Sequence, residues 1–410
     1  MKICVFTYGC RVNRYESDAI ARELIARGHE VVSELDYADV YVVNTCAVTR
    51  EAERKSRQSV SRIKKYNPNA RILICGCASQ KDDTNFQKDN VTYISGTTDK
   101  MKLVDMITVD GKGNFDLTSE YEECVAISDR AKFYLKVQDG CNNFCSYCII
   151  PHLRGRSRSR DIDKALAEAR ESGAHEIVLT GINLSAYGED KGHTLVDLID
   201  GLKDFDGRVS LGSLEEGIVS EELLLSLKKL KNFCPHFHLS LQSGSNNVLK
   251  DMNRHYTREE YIDAVTLIKK YFDEPCITTD VIVGFPTEGE EDFLHTLDLC
   301  GRVGFADIHV FPYSRREGTS AYPLGELDGK VVKERVERLE LLRDQLKDCY
   351  RDRLTGLSAE VLIEEVNDYP VGYSERYVRV YVEGNCNVGE IVKVKIKERY
   401  LDGVLAIKEA

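Results

Sequence analysis

Five things are scarce or missing in this sequence of 410 residues, and each narrows what it does. No apolar run approaches the roughly 18 residues of a membrane span. The opening stretch MKICVFTYGC reads as a strand with a chemically loaded end and lacks a signal peptide's cleavage site, so a cytoplasmic location with no membrane partner is expected. Positive charge is short: 56 Lys and Arg against 68 Asp and Glu leave a net charge of −12. That balance argues against broad, nonspecific nucleic-acid binding and confines any such contact to local basic patches. No Ser/His/Asp or other hydrolytic constellation stands out. Finally, the C-x3-C-x2-C loop of Cys141, Cys145 and Cys148, in QDGCNNFCSYCIIPHLRGRSRSR, has no fourth cysteine at ligand spacing.

Cysteine itself is abundant, at fourteen residues. Cytoplasmic thiols stay reduced, so some of these are expected to be metal ligands. A structural zinc site needs four protein ligands. A cubane iron–sulfur cluster wants one ligand per iron, so three thiolates leave one iron open. His152 is in principle a fourth ligand, and the residues immediately around the triad leave that alternative open. Cys4, Cys75, Cys124, Cys234, Cys276, Cys300, Cys349 and Cys386 are scattered singly and read as inert thiols. With 42% hydrophobic and 30% charged residues, the chain has an ordinary globular composition and length enough for two or three domains.

From residue 1 to 118 the pattern is strand, turn, helix, repeated. The strands KICVFTY, DVYVVNTC and ARILICGC imply a parallel sheet with helices on its faces. Ligands bind such sheets at the carboxyl ends of their strands. Cys10, Cys46 and Cys77 all fall at that edge, which favours a second three-thiolate metal site over three buried thiols. Cys75 competes for the third place, sharing a sheet face with Cys77. Cys77 is preferred because it follows a glycine that lets the backbone turn toward a ligand.

From 129 to 350 a β-then-α rhythm recurs six times, with strands KFYLKV, EIVLTG, RVSLGS, FHLSLQ, CITTDVIVG and DIHVFPY. Six units are fewer than the eight of a full barrel, so a partial barrel is expected, open along one side, with its chemistry at the strand C-termini. The first strand leads into the three-cysteine loop. RGRSRSR, Arg154 to Arg160, is expected to border the open iron. The other basic run, Arg54 to Lys65, reads as a solvated helix face. After a charged amphipathic helix, residues 355 to 410 alternate apolar and polar residues between turns, as in a small antiparallel barrel. Such barrels often bind RNA, and a structural cap fits the pattern equally. Lys393, Lys395 and Lys397 share one strand face there.

In this order the features resemble the radical S-adenosylmethionine superfamily, and the upstream cysteine trio and terminal barrel narrow the resemblance to the methylthiotransferases. It covers essentially the whole chain: an N-terminal methylthiotransferase domain (1–118), the radical barrel (129–350) and a TRAM-like RNA-binding domain (355–410). SLQSGSNNVLKDMNRHYT and TTDVIVGFP support it. GFPTEGEEDF departs from the family's usual Gly-Glu-Thr after the proline, a matter of local turn geometry. GCRVNRYESDA and NTCAVTREAERKSRQ are most similar to the branch acting on N6-threonylcarbamoyladenosine beside the tRNA anticodon. The other branches act on isopentenyladenosine in tRNA or on an aspartate of a ribosomal protein.

The resemblance implies two 4Fe-4S clusters, one on Cys141, Cys145 and Cys148 and one on Cys10, Cys46 and Cys77. It implies S-adenosylmethionine on the open iron of the first, a sulfur on the second, and methylthio insertion at carbon 2 of the adenine. Its implied partners are tRNA carrying N6-threonylcarbamoyladenosine and a low-potential electron donor of flavodoxin or ferredoxin type. Tyr147 stands where the superfamily places an aromatic against the adenine, a role favoured over simple packing beneath the loop. Gly181, Ser213, Glu215, Gln242 and Arg254 lie at or just past strand ends, facing the barrel mouth. Glu215 suits a ribose hydroxyl, and Gln242 or Arg254 the methionine carboxylate. His152 then reads as a loop residue. The threonylcarbamoyl carboxylate calls for an arginine, for which Arg154, Arg156, Arg315 and Arg316 are placed by position.

Two readings of another class stand beside this one. A two-cluster electron carrier or noncatalytic RNA-binding module has clusters but not the need for so large a barrel. A zinc protein with two incomplete sites is separated by its metal content.

Overall fold

Strand β1 (Lys2–Thr7) lies between β2 (Glu30–Val32) and β3 (Val40–Thr45), and the sheet continues through β4 (Arg71–Gly76), β5 (Val91–Ile94) and β6 (Gly111–Lys112). Every pairing in it is parallel. The computed structural model describes residues 1–126 and 131–409, so the expected start of the central segment at Asp129 lies outside the described residues. All six residues of β3, VYVVNT, are buried, as befits a parallel strand covered on both faces. One face packs Ile3, Val5, Val42 and Leu73 against Ile20 and Leu24; the other gathers Tyr41, Val43, Ile72 and Ile74. Helix α1 (Arg11–Ala26) leaves the end of β1, α2 (Arg50–Ile63) follows β3, and the short α3 (Cys77–Lys81) follows β4. Thr49 caps α2 by accepting from the Ala52 N–H, with Glu51 and Glu53 in the first turn. Its basic residues face outward while Ser56, Ser59, Val60 and Ile63 face the sheet, the solvated face expected.

The central segment forms an open arc in two pieces. Strands β7 (Lys132–Lys136), β10 (Glu176–Thr180) and β11 (Arg208–Leu211) form one sheet. Strands β12 (Ser213–Leu214), β13 (His236–Leu239), β14 (Cys276–Val283) and β15 (Asp307–Pro312) form the other. All neighbours in these sheets are parallel. The pieces meet at Gly212, whose N–H turns back to the Leu179 carbonyl at 2.8 Å. The six apolar runs of the sequence all become strands of this arc. Between β7 and β10, the two-residue strands β8 (Gln138–Asp139) and β9 (Arg158–Ser159) pair antiparallel and close the base of the cysteine loop. The core of the arc reaches into the N-terminal region through Tyr15 and Ala19 of α1, with the Tyr15 and Phe133 rings 6.3 Å apart.

A 25-residue helix, Gly329–Arg353, leads to a closed barrel of β16 (Ser358–Val366), β17 (Pro370–Ser374), β18 (Arg379–Glu383), β20 (Gly403–Lys408) and β19 (Ile391–Tyr400), in that spatial order. The expected antiparallel barrel needs one correction: β18 and β20 pair parallel. The reason is geometric, because strict up-down alternation cannot close around an odd number of strands. Val392, Val394 and Ile396 of β19 fill the barrel while Lys393, Lys395 and Lys397 point outward.

Buried polar contacts join this barrel to the central arc. Arg208 pairs with Glu176 inside the arc and donates to the backbone carbonyls of Glu360 (3.1 Å) and Tyr373 (3.3 Å). Tyr377 hydrogen-bonds Glu176, and its ring stacks on His236 at 4.6 Å.

Candidate functional site

Cys10, Cys46 and Cys77 leave three neighbouring strands at one edge of the N-terminal sheet. The turns before two of them admit only glycine. Gly9 has φ +108°, and a Cβ there would meet Cys46 Cβ and Sγ at 2.9 Å; Gly76 has φ +106°, and its Cβ would lie 2.5 Å from the Thr45 carbonyl. Buried amides tie the loops together. Asn13 donates to the carbonyls of Tyr8 (2.9 Å) and Thr45 (3.0 Å), and Asn44 donates to the Asn13 carbonyl (2.9 Å). Cys10 is exposed, whereas Cys46 and Cys77 are buried. Burial pushes the Cys46 thiol up to about 12, with Cys77 and Cys10 both near enough to act on it electrostatically. Cys75 does not share the surroundings of Cys77, contrary to the expectation. It packs with Ile3, Val5 and Leu73 on the opposite side of the sheet, because the chain reverses at Gly76.

Behind this trio lies a sealed cluster of charge. Arg154, 0% exposed, donates to Glu16 and Asp139; Lys136 contacts both acids, Lys100 pairs with Glu16, and Arg158 with Asp139. Four cations thus share two carboxylates. The Arg154 charge reaches Cys10, Cys46 and Cys77. A surplus of buried positive charge is costly alone and would be offset by an anionic group held on the three cysteines.

The second loop is held as tightly. The Cys141 N–H donates to the Gly155 carbonyl at 3.1 Å, the Cys148 N–H to Cys145 at 2.9 Å, and Phe144 adopts φ +48°. Ser146 is fixed from both sides, its N–H on the Met252 carbonyl and its hydroxyl on the Asp251 carbonyl. Arg254 Nη1 lies 3.3 Å from Cys145 Sγ and 2.9 Å from Glu215 Oε1, with a side chain only 6% exposed. Its Nε and Nη2 are buried and find no partner among the described residues. Donors left unpaired beside an open cluster position fit a carboxylate ligand. Each cysteine trio therefore suits an anionic iron–sulfur group, the first by its charge surplus and the second by these unpaired donors.

Of the other expected residues, four line one of two cavities. Gly181 and Ser213 line a chamber of about 560 Å³ that runs from Cys10 and Arg11, inside the arc, to Tyr373 and Tyr377 of the terminal barrel. Glu215 and Arg254 line a second, of about 400 Å³, with Asn143, Asn183 and Tyr256. Glu215 already accepts from Asn143 (2.6 Å) and Asn183 (3.4 Å) besides Arg254, and a carboxylate retains accepting capacity beyond these. Tyr147 and Gln242 line neither cavity. Tyr147 packs against Val248, Met252, Phe285 and Ala321, while Gln242 sits at φ +64° with its backbone bridged to β14.

Several expectations are corrected. His152 is on a short helix, α4 (Ile150–Arg154), rather than in a loop, its ring edge-on to Phe144 at 5.9 Å. RGRSRSR is not a basic face: Arg154, Arg158 and Arg160 are buried in ion pairs, and only Arg156 is an exposed arginine. The residues missed from sequence are Glu16, Asp139, Asn143, Asn183 and Arg11. Only Arg11 carried a local signal, its place directly after Cys10.

Residues 135–300 match the family described as the Radical SAM superfamily, and residues 2–96 the one described as Uncharacterized protein family UPF0004. The chain is 37% identical to a threonylcarbamoyladenosine tRNA methylthiotransferase MtaB of Aquifex aeolicus, over 97% of this chain and 100% of that one. It is also 37% identical to the protein of that name in Bacillus subtilis, over 96% and 93%. Identity to a tRNA-2-methylthio-N(6)-dimethylallyladenosine synthase of Thermoanaerobacter is 35%, over 96% and 89%. Among solved structures, the radical S-adenosylmethionine methyltransferase TsrM of Kitasatospora setae, bound to cobalamin and a 4Fe-4S cluster, shares the fold with TM-score 0.58 at 13% identity, over 78% of this chain and 77% of that one. These relatives are enzymes, which sets aside the electron-carrier and zinc readings. The chain belongs to the radical S-adenosylmethionine methylthiotransferase family.

Proposed function

We propose that this chain is the tRNA methylthiotransferase that places a methylthio group on carbon 2 of N6-threonylcarbamoyladenosine beside the anticodon. Cys141, Cys145 and Cys148 would hold the radical cluster, and Cys10, Cys46 and Cys77 the auxiliary one. Bound there, the clusters and S-adenosylmethionine supply reductive carbon–sulfur cleavage, abstraction of hydrogen from an unreactive C–H bond, and the sulfur to be inserted.

The chain's own residues do the positioning. Arg254 offers Nε and Nη2 to the methionine carboxylate and keeps its Nη1 on Cys145 and Glu215. Glu215, fixed by Asn143 and Asn183, accepts from a ribose hydroxyl. Gly181 and Ser213 form the wall of the 560 Å³ chamber in front of Cys10, where the target base enters. The division into 1–118, 129–350 and 355–410 belongs to this reading, with the last part gripping tRNA. So do a cytoplasmic location and a flavodoxin- or ferredoxin-type reductant.

The single observation that carries the proposal is the joining of two three-cysteine sets through one buried ionic cluster, with a chamber inside the arc opening at Cys10. Nucleoside mass spectrometry of tRNA from a host lacking its own methylthiotransferases tests it. Expression of this chain is expected to convert threonylcarbamoyladenosine to its 2-methylthio form. Conversion of dimethylallyladenosine alone would overturn the substrate assignment and leave the chemistry standing.

A further inference from the structure

A threonylcarbamoyl group ends in a carboxylate that stays ionised at neutral pH. Burying it beside the cysteine loops requires a cation whose donors are not already spent. Of the four arginines suggested by sequence position, two are spent in buried ion pairs and two line neither cavity. Arg154 is committed to Glu16 and Asp139. Arg316 is buried on Glu53 and the Ala47 carbonyl. Arg315 donates to the Tyr322 carbonyl and lies 4.0 Å over the Tyr322 ring. Arg156 sits over the Phe144 ring at 4.4 Å and lines neither cavity.

The chamber between Cys10 and the terminal barrel contains a different cation. Its volume of about 560 Å³ lies in the range of roughly 300–1,000 Å³ typical of small-molecule sites. Three of its lining cations are neutralised by the protein: Lys347 by Asp307 at 2.5 Å, Arg379 by Asp402 at 3.2 Å, and Arg351 by Asp348 at 3.5 Å. The lining Asp280 lies against His238 at 3.3 Å. Arg11 has no carboxylate within ion-pair distance among the described residues. It is half-buried, its guanidinium lies 5.7 Å from the centre of the Tyr134 ring, and its neighbour in sequence is Cys10.

A second observation points to a ligand in the same place. His236 lines the chamber, is 7% exposed, and leaves Nδ1 buried without a partner among the described residues. Its Nε2 is satisfied by Thr278 Oγ1 at 3.0 Å. Burial, then the charges of His238 and Arg11, push the His236 imidazole well below its ordinary value. It is therefore neutral at pH 7 and offers a hydrogen bond, while Arg11 supplies the charge.

We infer that Arg11 binds the carboxylate of the threonylcarbamoyl group, with that group seated in the chamber against His236, so that Arg11 sets the preference for this base over uncharged N6-substituted adenosines. The inference rests on the tRNA reading above.

The test uses the cluster-loaded enzyme and two anticodon stem-loop RNAs, one carrying N6-threonylcarbamoyladenosine and one carrying its uncharged methyl ester. Kd and kcat/KM are measured for each RNA, together with iron content. The wild type is expected to prefer the acid by roughly 10- to 100-fold, the scale of one hydrogen-bonded charge. Arg11→Gln is expected to bring that ratio close to one, acting on the acid substrate and mainly through KM, with iron content unchanged. If Arg11→Gln loses iron, Arg11→Met, which keeps the length of the side chain and removes its charge, decides: a reduced acid/ester ratio supports the inference and an unchanged one overturns it. An iron-replete Arg11→Gln enzyme that keeps the wild-type ratio overturns the inference and leaves the substrate reading intact. A wild type that modifies neither RNA removes the substrate reading, and this inference with it.

Discussion

Arg154 Nη1 lies 3.0 Å from Glu16 Oε1, with both side chains sealed from solvent. The two residues are 138 apart in sequence. Glu16 belongs to the helix that follows Cys10, and Arg154 to the helix that follows Cys148. One ionic contact therefore fixes the two cysteine loops relative to each other. It also makes Arg154 a structural residue, removed from substrate.

Removing Arg154 strips charged hydrogen bonds from Glu16, Asp139 and Asn13 while Lys100, Lys136 and Arg158 still pair with the two acids, a loss of about 1.5–3 kcal/mol. Arg154→Met is expected to lower stability on that scale and to reduce the iron bound by both loops. Anaerobic urea denaturation with iron analysis checks this. An unchanged midpoint would show that Lys100 and Lys136 suffice to neutralise Glu16 and Asp139.

Arg254 carries the second prediction. Arg254→Gln removes the charge facing Cys145, so S-adenosylmethionine binding should weaken roughly 10- to 100-fold while iron content stays constant. Equilibrium dialysis on the reconstituted protein reads this directly. Unaltered affinity would move the carboxylate site elsewhere, with Gln242 the next residue to substitute.

Glu176 ties acid stability to the docking of the terminal barrel. Burial pushes its carboxyl up, but Arg208 and Lys132 outweigh burial and hold it below its ordinary 4.5. A depressed folded-state value stabilises fully above about pH 4.5, and this contribution is lost as pH falls through the lower folded value. Glu176→Gln should abolish this acid dependence and cost about 3–5 kcal/mol at neutral pH by stranding Arg208. Urea midpoints across pH 3 to 7 are the measurement.

Lys393 and Lys395 project from β19 into solvent. If that strand contacts tRNA phosphates, changing both to Glu should weaken tRNA binding and lower the slope of log Kd against log salt by about 2. The stability of the barrel should not change, because Val392, Val394 and Ile396 remain inside. An unchanged slope would assign tRNA contact to another face.

The strands were legible in the sequence because buried parallel strands are short apolar runs and barrel strands alternate. The Cys141, Cys145 and Cys148 loop was legible from its spacing, and the Cys10, Cys46 and Cys77 set from its place at three strand ends. What sequence concealed was pairing across long separations. RGRSRSR reads as a basic surface until Glu16, Asp139 and Glu168 are brought to it by the fold. Arg11 reads as one more surface charge until the chamber closes around it. The parallel pairing of β18 with β20 follows from closing five strands, which no local pattern records.

The most direct test of the two-cluster account compares wild type, Cys77→Ala and Cys145→Ala after reconstitution with iron and sulfide. Each is given reductant, S-adenosylmethionine and tRNA containing N6-threonylcarbamoyladenosine, and both 5′-deoxyadenosine and the methylthiolated nucleoside are quantified. The account predicts both products from wild type, 5′-deoxyadenosine without methylthiolation from Cys77→Ala, and neither from Cys145→Ala. Methylthiolation by Cys77→Ala at the wild-type rate would contradict it.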